Sequence, residues 1–330
     1  MPLLEVRDLK TIFAVEGGTV KAVDGVSFAV DRGRTLGLVG ESGCGKSVSA
    51  LSVMRLVPDP PGHIIGGQIL WKGTDLLALP AGRLPAMRGA EIAMIFQDPM
   101  TSLNPVFTIE RQMGEVLTKR FGLKGDPARR RMVEMLETVG ISDPADRVAS
   151  YPHELSGGMK QRIMIAMGLM CEPDLLICDE PTTALDVTVQ AQILHLIKRL
   201  QEQFGTAIML ITHDMGVIAE TCDEVVVMYA GRVVESCGIF ELFEHNRHPY
   251  TRGLLRSIPR RGLSKSGTLP TIEGVVPSLL NPPPGCRFAA RCPKAEPRCL
   301  EIDPPLELQA EGHLVACHFP LEDGELEDGE

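Results

Sequence analysis

Side chains able to handle a polyphosphate and a divalent cation recur along the 330 residues in a fixed order. Gly40-Glu41-Ser42-Gly43-Cys44-Gly45-Lys46-Ser47, followed by Val48, is a glycine-rich loop. Glycines at 40, 43 and 45 let successive backbone N–H groups turn inward onto an anion, and a following helix adds its positive dipole end. In that setting Lys46 reaches the β- and γ-phosphates and the Ser47 hydroxyl ligates Mg²⁺. Asp179 and Glu180 close an apolar run at 175–178, which places two carboxylates at the carboxyl end of a buried strand. Asp179 is suited to hold Mg²⁺, and Glu180 to polarise the attacking water as general base. His213 follows a second apolar run at 207–212 and is placed to contact a γ-phosphate. Ser156, Gly157 and Gly158 open a helical stretch and form a second anion site.

The elements that must position these residues are legible around them. Residues 35–39 are an apolar run that predicts a strand, and 48–56 predicts a helix, so the loop sits in the strand, loop, helix context that phosphate binding requires. From average residue frequencies, the G-x-x-x-x-G-K-[ST] pattern arises by accident in roughly one chain in a hundred of this length. Residues 20–30 and 67–71 read as further strands. Between about 98 and 166 the spacing of apolar residues becomes helical, at 108–117 and 128–139 for example. Strand and helix alternation returns from about 174 to 235. The segment 97–105, punctuated by Pro99 and Pro105, reads as a hinge loop between the two parts.

Leu155-Ser156-Gly157-Gly158-Met159-Lys160-Gln161-Arg162 resembles the signature of the ATP-binding cassette family. The resemblance implies an α/β fold: a P-loop, RecA-like ATPase core with an antiparallel β part (1–97 and 167–245) and an inserted α-helical subdomain (98–166). It implies that Ser156, Gly157 and Gly158 bind the γ-phosphate of ATP held by a partner subunit, so that two ATPase subunits are needed. Asp186 matches the loop that crosses the dimer seam, and Gln97 the glutamine that senses Mg²⁺ and the lytic water. Phe13 stands where the family places an aromatic ring on adenine, though the same ring would also suit a core.

Beyond residue 245, His248-Pro249-Tyr250-Thr251-Arg252-Gly253-Leu254-Leu255, the segments 272–279 and 281–286, and Tyr151-Pro152-His153-Glu154 before the signature resemble the peptide-transport branch of that family. A small, irregular, cysteine-containing extension is expected at 246–320, with a disordered acidic tail at 321–330. The resemblance implies an ATPase energising dipeptide or oligopeptide import. Its partners would be a second, different ATPase, two permease chains and an extracytoplasmic solute-binding protein. Nickel, a glycoside or a peptide-like compound are the alternative cargoes, since the ATPase never touches cargo. A soluble cassette acting on DNA or ribosomes is the rival of another class.

Lys and Arg number 33 against 43 Asp and Glu, a net charge of −10 that argues against a nucleic-acid clamp. No window reaches the 18 apolar residues of a membrane span, and the first residues lack the layout of a signal peptide. The expected location is therefore peripheral, on the cytoplasmic face of the membrane. Of nine cysteines, Cys44, Cys171, Cys178, Cys222 and Cys237 are scattered and read as small buried hydrophobes. Cys286, Cys292, Cys299 and Cys317 cluster in the proline-rich extension, which has few apolar residues of its own and needs a staple. Cytosolic conditions disfavour disulfides, leaving an iron–sulfur cluster, zinc or unmetallated thiols. The family resemblance implies a [4Fe–4S] cluster on these four. His313 and His318 are reserve ligands or packing residues.

Overall fold

The structure, a computed structural model, describes every residue except 98–101, 184, 259–270 and 323–330. Part of the expected hinge loop, Ala184 and nearly all of the expected acidic tail thus lie outside the described residues.

In chain order the elements begin with strands β1 (Leu4–Val15), β2 (Gly18–Val30) and β3 (Thr35–Val39), helix α1 (Lys46–Val53), then β4 (Gly62–Trp71) and β5 (Thr74–Asp75). There follow α2 (Leu84–Met87), β6 (Ile92–Ile95), α3 (Ile109–Phe121), α4 (Gly125–Thr138), α5 (Pro144–Arg147), α6 (Gly157–Leu169), β7 (Leu175–Asp179), α7 (Val187–Phe204) and β8 (Ala207–Thr212). The chain continues through α8 (Met215–Thr221), β9 (Glu224–Tyr229), β10 (Arg232–Gly238), α9 (Ile239–Glu244), α10 (Pro249–Arg256), α11 (Pro297–Glu301), β11 (Glu307–Ala310) and β12 (His313–Val315).

These elements form two compact units. One comprises residues 1–31, 35–78 and 212–330. In it an antiparallel sheet runs β2-β1-β4-β5, and a second group runs β11-β12-β10-β9-β3, antiparallel except for the parallel β9–β3 pair. The other comprises residues 32–34 and 79–211, with β8, β7 and β6 pairing in parallel beside helices α2 to α7. Every residue of β3, β7 and β8 is buried, which is why these strands read as unbroken apolar runs rather than alternating ones.

Local chemistry explains the helices. α3 starts at Thr108, whose side chain accepts from the Arg111 N–H, and ends at Gly122 with φ +65°. It buries Ile109, Met113 and Leu117, spaced by four, and carries Lys119 and Arg120 in its last turn, where the dipole favours cations. α7 is bounded likewise by the Asp186 cap and by Gly205 at φ +66°.

The expected irregular extension is only partly irregular. Its β12 pairs antiparallel with β10, matching Glu235 to Val315 and Ser236 to Leu314, and β11 adds a further strand. A four-residue, fully exposed strand such as β11 carries no alternation for a sequence reading to detect. The extension shares a core with the cassette: Tyr250 and Phe288 pack on Tyr229 of β9 with ring centroids 4.7 and 5.3 Å away.

Candidate functional site

The phosphate loop leaves β3 and enters α1 in the first unit. Gly40, Gly43 and Gly45 have φ of +153°, +78° and +104°. A Cβ on Gly40 would lie 2.1 Å from the Met228 carbonyl oxygen, and one on Gly45 would lie 2.3 Å from that of Ala22. Both contacts are backbone, so glycine is required at these two positions for space as well as for dihedral freedom. Lys46, 5% exposed, turns back over the loop and donates to the carbonyls of Gly40 (2.7 Å) and Glu41 (3.0 Å). Ser47 and Val48 occupy the first turn of α1, and Ser42 is an exposed member of the loop. Cys44 is buried beside Lys46, and its thiol is pushed up by burial.

In the same unit His213 stands exposed, directly after β8. The next residue, Asp214, caps α8 by accepting from the Gly216 and Val217 N–H groups, which fixes the turn on which His213 sits. Phe13 lies on β1 opposite Gly62, half-buried, with its ring over that glycine.

The second unit holds the carboxylates. Asp179 ends β7 and is 5% exposed. Glu180 follows in the left-handed region at φ +46°, a conformation that costs a glutamate of order 1–3 kcal/mol and marks a position held by its surroundings. Its Oε2 accepts from Gln97 Nε2 at 3.0 Å and from the Thr183 hydroxyl at 2.8 Å. The structure thus brings Gln97 and Glu180 together and adds Thr183, which sequence reading did not single out. Ser156 is the N-cap of α6, its hydroxyl accepting from the Met159 N–H, and Gly157 and Gly158 form the first turn. A Cβ on Gly158 would meet Val189 at 2.9 Å, and one on Gly157 would meet Leu185 at 3.5 Å. The signature turn therefore packs against the start of α7, whose cap is Asp186.

Cys286, Cys292, Cys299 and Cys317 converge on one small cavity closed by His248, Phe288 and Phe319, with His318 and Lys294 at its wall. All four are free thiols. Burial pushes Cys286 up to about 11 and Cys317 up to about 12, and the neighbouring thiols add to both shifts. Among the described residues no three of these thiols lie within 4.8 Å of one another; the grouping that tight is Glu235, Cys237 and His313. That trio was not foreseen, and it serves structure. Glu235 accepts from His313 Nε2 and from the backbone N–H groups of Arg247 and His248, so its carboxylate is already engaged. His318 Nε2 meets the Ile302 carbonyl oxygen. Cys178, Cys222 and Cys237 are buried, each thiol raised by burial, whereas Cys171 is half-buried.

A glycine cradle with an inward lysine, a strand-end carboxylate pair and a serine-capped signature helix together define a nucleotide-handling cassette. Residues 23–183 match the ABC transporter family, and residues 234–299 match the oligopeptide/dipeptide transporter C-terminal region. The chain belongs to the ABC transporter ATP-binding subunits, ATPases coupled to transport, in the branch that carries this C-terminal region. It is 53% identical over 96% of its length to a probable peptide ABC transporter ATP-binding protein of Sinorhizobium fredii, of which it covers 94%. Identity is 49% to the dipeptide transport ATP-binding protein DppD of Bacillus subtilis, again over 96% of this chain and 94% of that one. With the DppD of Escherichia coli it is 46%, over 98% of both. Among solved structures, the dimeric post-hydrolysis state of the cassette MJ0796 with ADP and Pi aligns at TM-score 0.64 and 23% identity, covering 72% of this chain and 98% of that one. CbiO1 of Clostridium perfringens aligns at 0.61 and 28%, covering 74% and 91%. No described helix is long and apolar enough to cross a membrane.

Proposed function

We propose that the chain is the ATP-hydrolysing subunit of a dipeptide or oligopeptide importer, working in pairs beneath two permease chains and fed by a solute-binding protein. The observation that carries this is the phosphate loop: three glycines in positive φ, two of them without room for a Cβ, opening directly onto α1 with Lys46 folded inward. Peptide cargo rests on the relatives and on the C-terminal region. The functional division we adopt is an ATPase core of 1–97 and 167–245, a helical subdomain of 98–166 and an extension from 246.

Lys46, Ser47 and the amides of residues 40–48 hold the phosphates; Asp179, Gln97 and Ser47 hold Mg²⁺; Phe13 meets the adenine. Glu180, aimed by Gln97 and Thr183, takes the proton of the attacking water, and His213 contacts the γ-phosphate. Ser156 and the glycine amides grip the phosphate of the partner's ATP, with Asp186 at the seam. The partner is a second, different cassette, and closure of the pair drives the permeases. Exposed Phe96 and Val106, 42% and 69% accessible on either side of Gln97, supply apolar surface for such docking at the cytoplasmic face of the membrane.

The spacing of the four cysteines lacks the paired C-x₂-C knuckles common in zinc ribbons, which favours an iron–sulfur cluster over zinc. Cys286, Cys292, Cys299 and Cys317 would hold a [4Fe–4S] group, which would staple the extension in place.

The test is steady-state ATPase and nucleotide binding of Glu180→Gln beside the parent chain, with iron and sulfide determined on anaerobically purified protein. Turnover falling about a hundredfold or more with binding retained supports the base assignment, and undiminished turnover sinks it. Four irons per chain support the cluster; zinc or no metal overturns it. Co-purification from membranes with two permeases and a second cassette tests the assembly, which recovery as a homodimer would refute.

A further inference from the structure

Glu41, the second residue of the phosphate loop, is held at each of its polar groups. Its carbonyl accepts from Lys46 Nζ, its N–H donates to the Tyr250 hydroxyl at 2.9 Å, and its carboxylate takes both terminal nitrogens of Arg291 at 2.7 and 3.0 Å. Tyr250 and Arg291 both belong to the extension. Arg291 is 5% exposed at its side chain, and all its N–H donors are engaged: beyond Glu41 they reach the Tyr229 hydroxyl (3.2 Å) and the carbonyls of Ile272 and Glu273 (3.0 Å each). The guanidinium is therefore fixed before it meets the loop, and it fixes the loop in turn.

The same segment takes a second hold. Arg287 donates to the Ala230 carbonyl and to the Asp24 carboxylate, while Gly231 N–H donates to the carbonyl of loop residue Cys44 at 2.9 Å. Arg287 directly follows Cys286 and Arg291 directly precedes Cys292. Phe288, between them, is buried against Tyr229 and Tyr250. Residues 286–292 thus run as a short rigid strut from the four-thiol cavity to the phosphate loop.

We propose that Arg291 is a positioning residue for ATP: by clamping Glu41 it keeps the loop amides on the phosphates when Lys46 leaves the loop carbonyls for them, and residues 286–292 carry the state of the four-thiol site to that clamp. The inference rests on the nucleotide reading of the loop. A free loop would have to be ordered by the nucleotide itself, which lowers affinity without touching the chemical step. Loss of Arg291 is accordingly expected in Kd and KM for ATP rather than in kcat. Lysine, a point charge without the planar fork, cannot replace the bidentate contact.

The experiment measures Kd for a fluorescent ATP analogue, and KM and kcat for ATP, in the full chain and in its Arg291→Ala, Arg291→Lys, Glu41→Gln and double variants. Arg291→Ala is expected to weaken binding about tenfold, about 1.4 kcal/mol, with kcat changed less than twofold. Arg291→Lys should recover only a small part of this. Glu41→Gln, which leaves the extension intact, should weaken binding in the same direction, and the double variant should be no worse than Arg291→Ala. Cys292→Ser, with iron and free thiols quantified, should also raise Kd, about threefold. Unchanged Kd in Arg291→Ala and Glu41→Gln, or additive effects in the double variant, overturns the clamp. Unchanged Kd in Cys292→Ser overturns the transmission. A parent chain that binds no nucleotide would instead refute the nucleotide reading itself.

Discussion

Replacing Glu235 by alanine should loosen the extension more than any change at its surface. The residue is fully buried on β10, and its carboxylate accepts from the backbone N–H groups of Arg247 at 2.6 Å and His248 at 3.1 Å and from His313 Nε2 at 2.7 Å. Alanine leaves three donors without a partner in a place closed to water. At about 1–3 kcal/mol for each buried donor left unsatisfied, the loss is about 3–6 kcal/mol once some water enters the space. That is comparable to the whole stability of many domains, so the extension should open before the rest of the first unit unfolds. Glutamine keeps one acceptor oxygen and the shape, and should cost about half as much. Hydrogen exchange at the Arg247 and His248 amides reads the effect locally, and limited proteolysis between 246 and 320 reads its extent. Protection of those two amides lowered by less than about fivefold in Glu235→Ala would refute the reasoning, because it would mean that the carboxylate is not what satisfies them.

Gly40→Ala and Gly45→Ala should each abolish tight nucleotide binding, since the added Cβ would sit 2.1 and 2.3 Å from backbone oxygens and force the loop open; titration with a fluorescent ATP analogue checks this, and wild-type affinity in either would contradict it. His248 is buried at the head of α10, where its Nδ1 accepts from the Tyr250 N–H, and burial pushes it down to about 4. Its depressed value means that the stabilising contribution is complete above the unfolded value of about 6.5 and is lost as pH falls from there toward 4, by up to about 3 kcal/mol. Denaturant midpoints from pH 7.5 to 4.5 should show this loss in the parent chain and less of it in His248→Asn, which keeps a capping acceptor but does not titrate.

What the sequence made legible was chemistry fixed by local backbone. The glycine loop, the apolar runs of β3, β7 and β8 and the helix start at Ser156 are each specified within about ten residues, and each stands where its local pattern requires, whereas the Asp186 cap of α7 was not read from the sequence. The contact of Gln97 with Glu180 was not legible, because no spacing rule joins residues 83 positions apart; the family resemblance implied only that Gln97 senses Mg²⁺ and the lytic water. Thr183, by contrast, lies three residues from Glu180 and was within reach of a local argument. A threonine following a strand-end carboxylate in a tight turn can return its hydroxyl to that carboxylate.

Glu235, Arg287 and Arg291 were invisible for a different reason. An arginine beside a cysteine in a proline-rich segment reads as a solvated surface charge, and only the fold brings Arg291 to Glu41 across 250 positions. The extension also seemed short of a core because its core is shared. Tyr250 and Phe288 are two aromatic residues that become a packed centre only with Tyr229, which belongs to β9. The same sharing makes the extension more than an appendage. A segment with its own core could loosen without disturbing the phosphate loop, whereas one built on Tyr229, Asp24 and Glu41 cannot shift without moving groups that touch that loop.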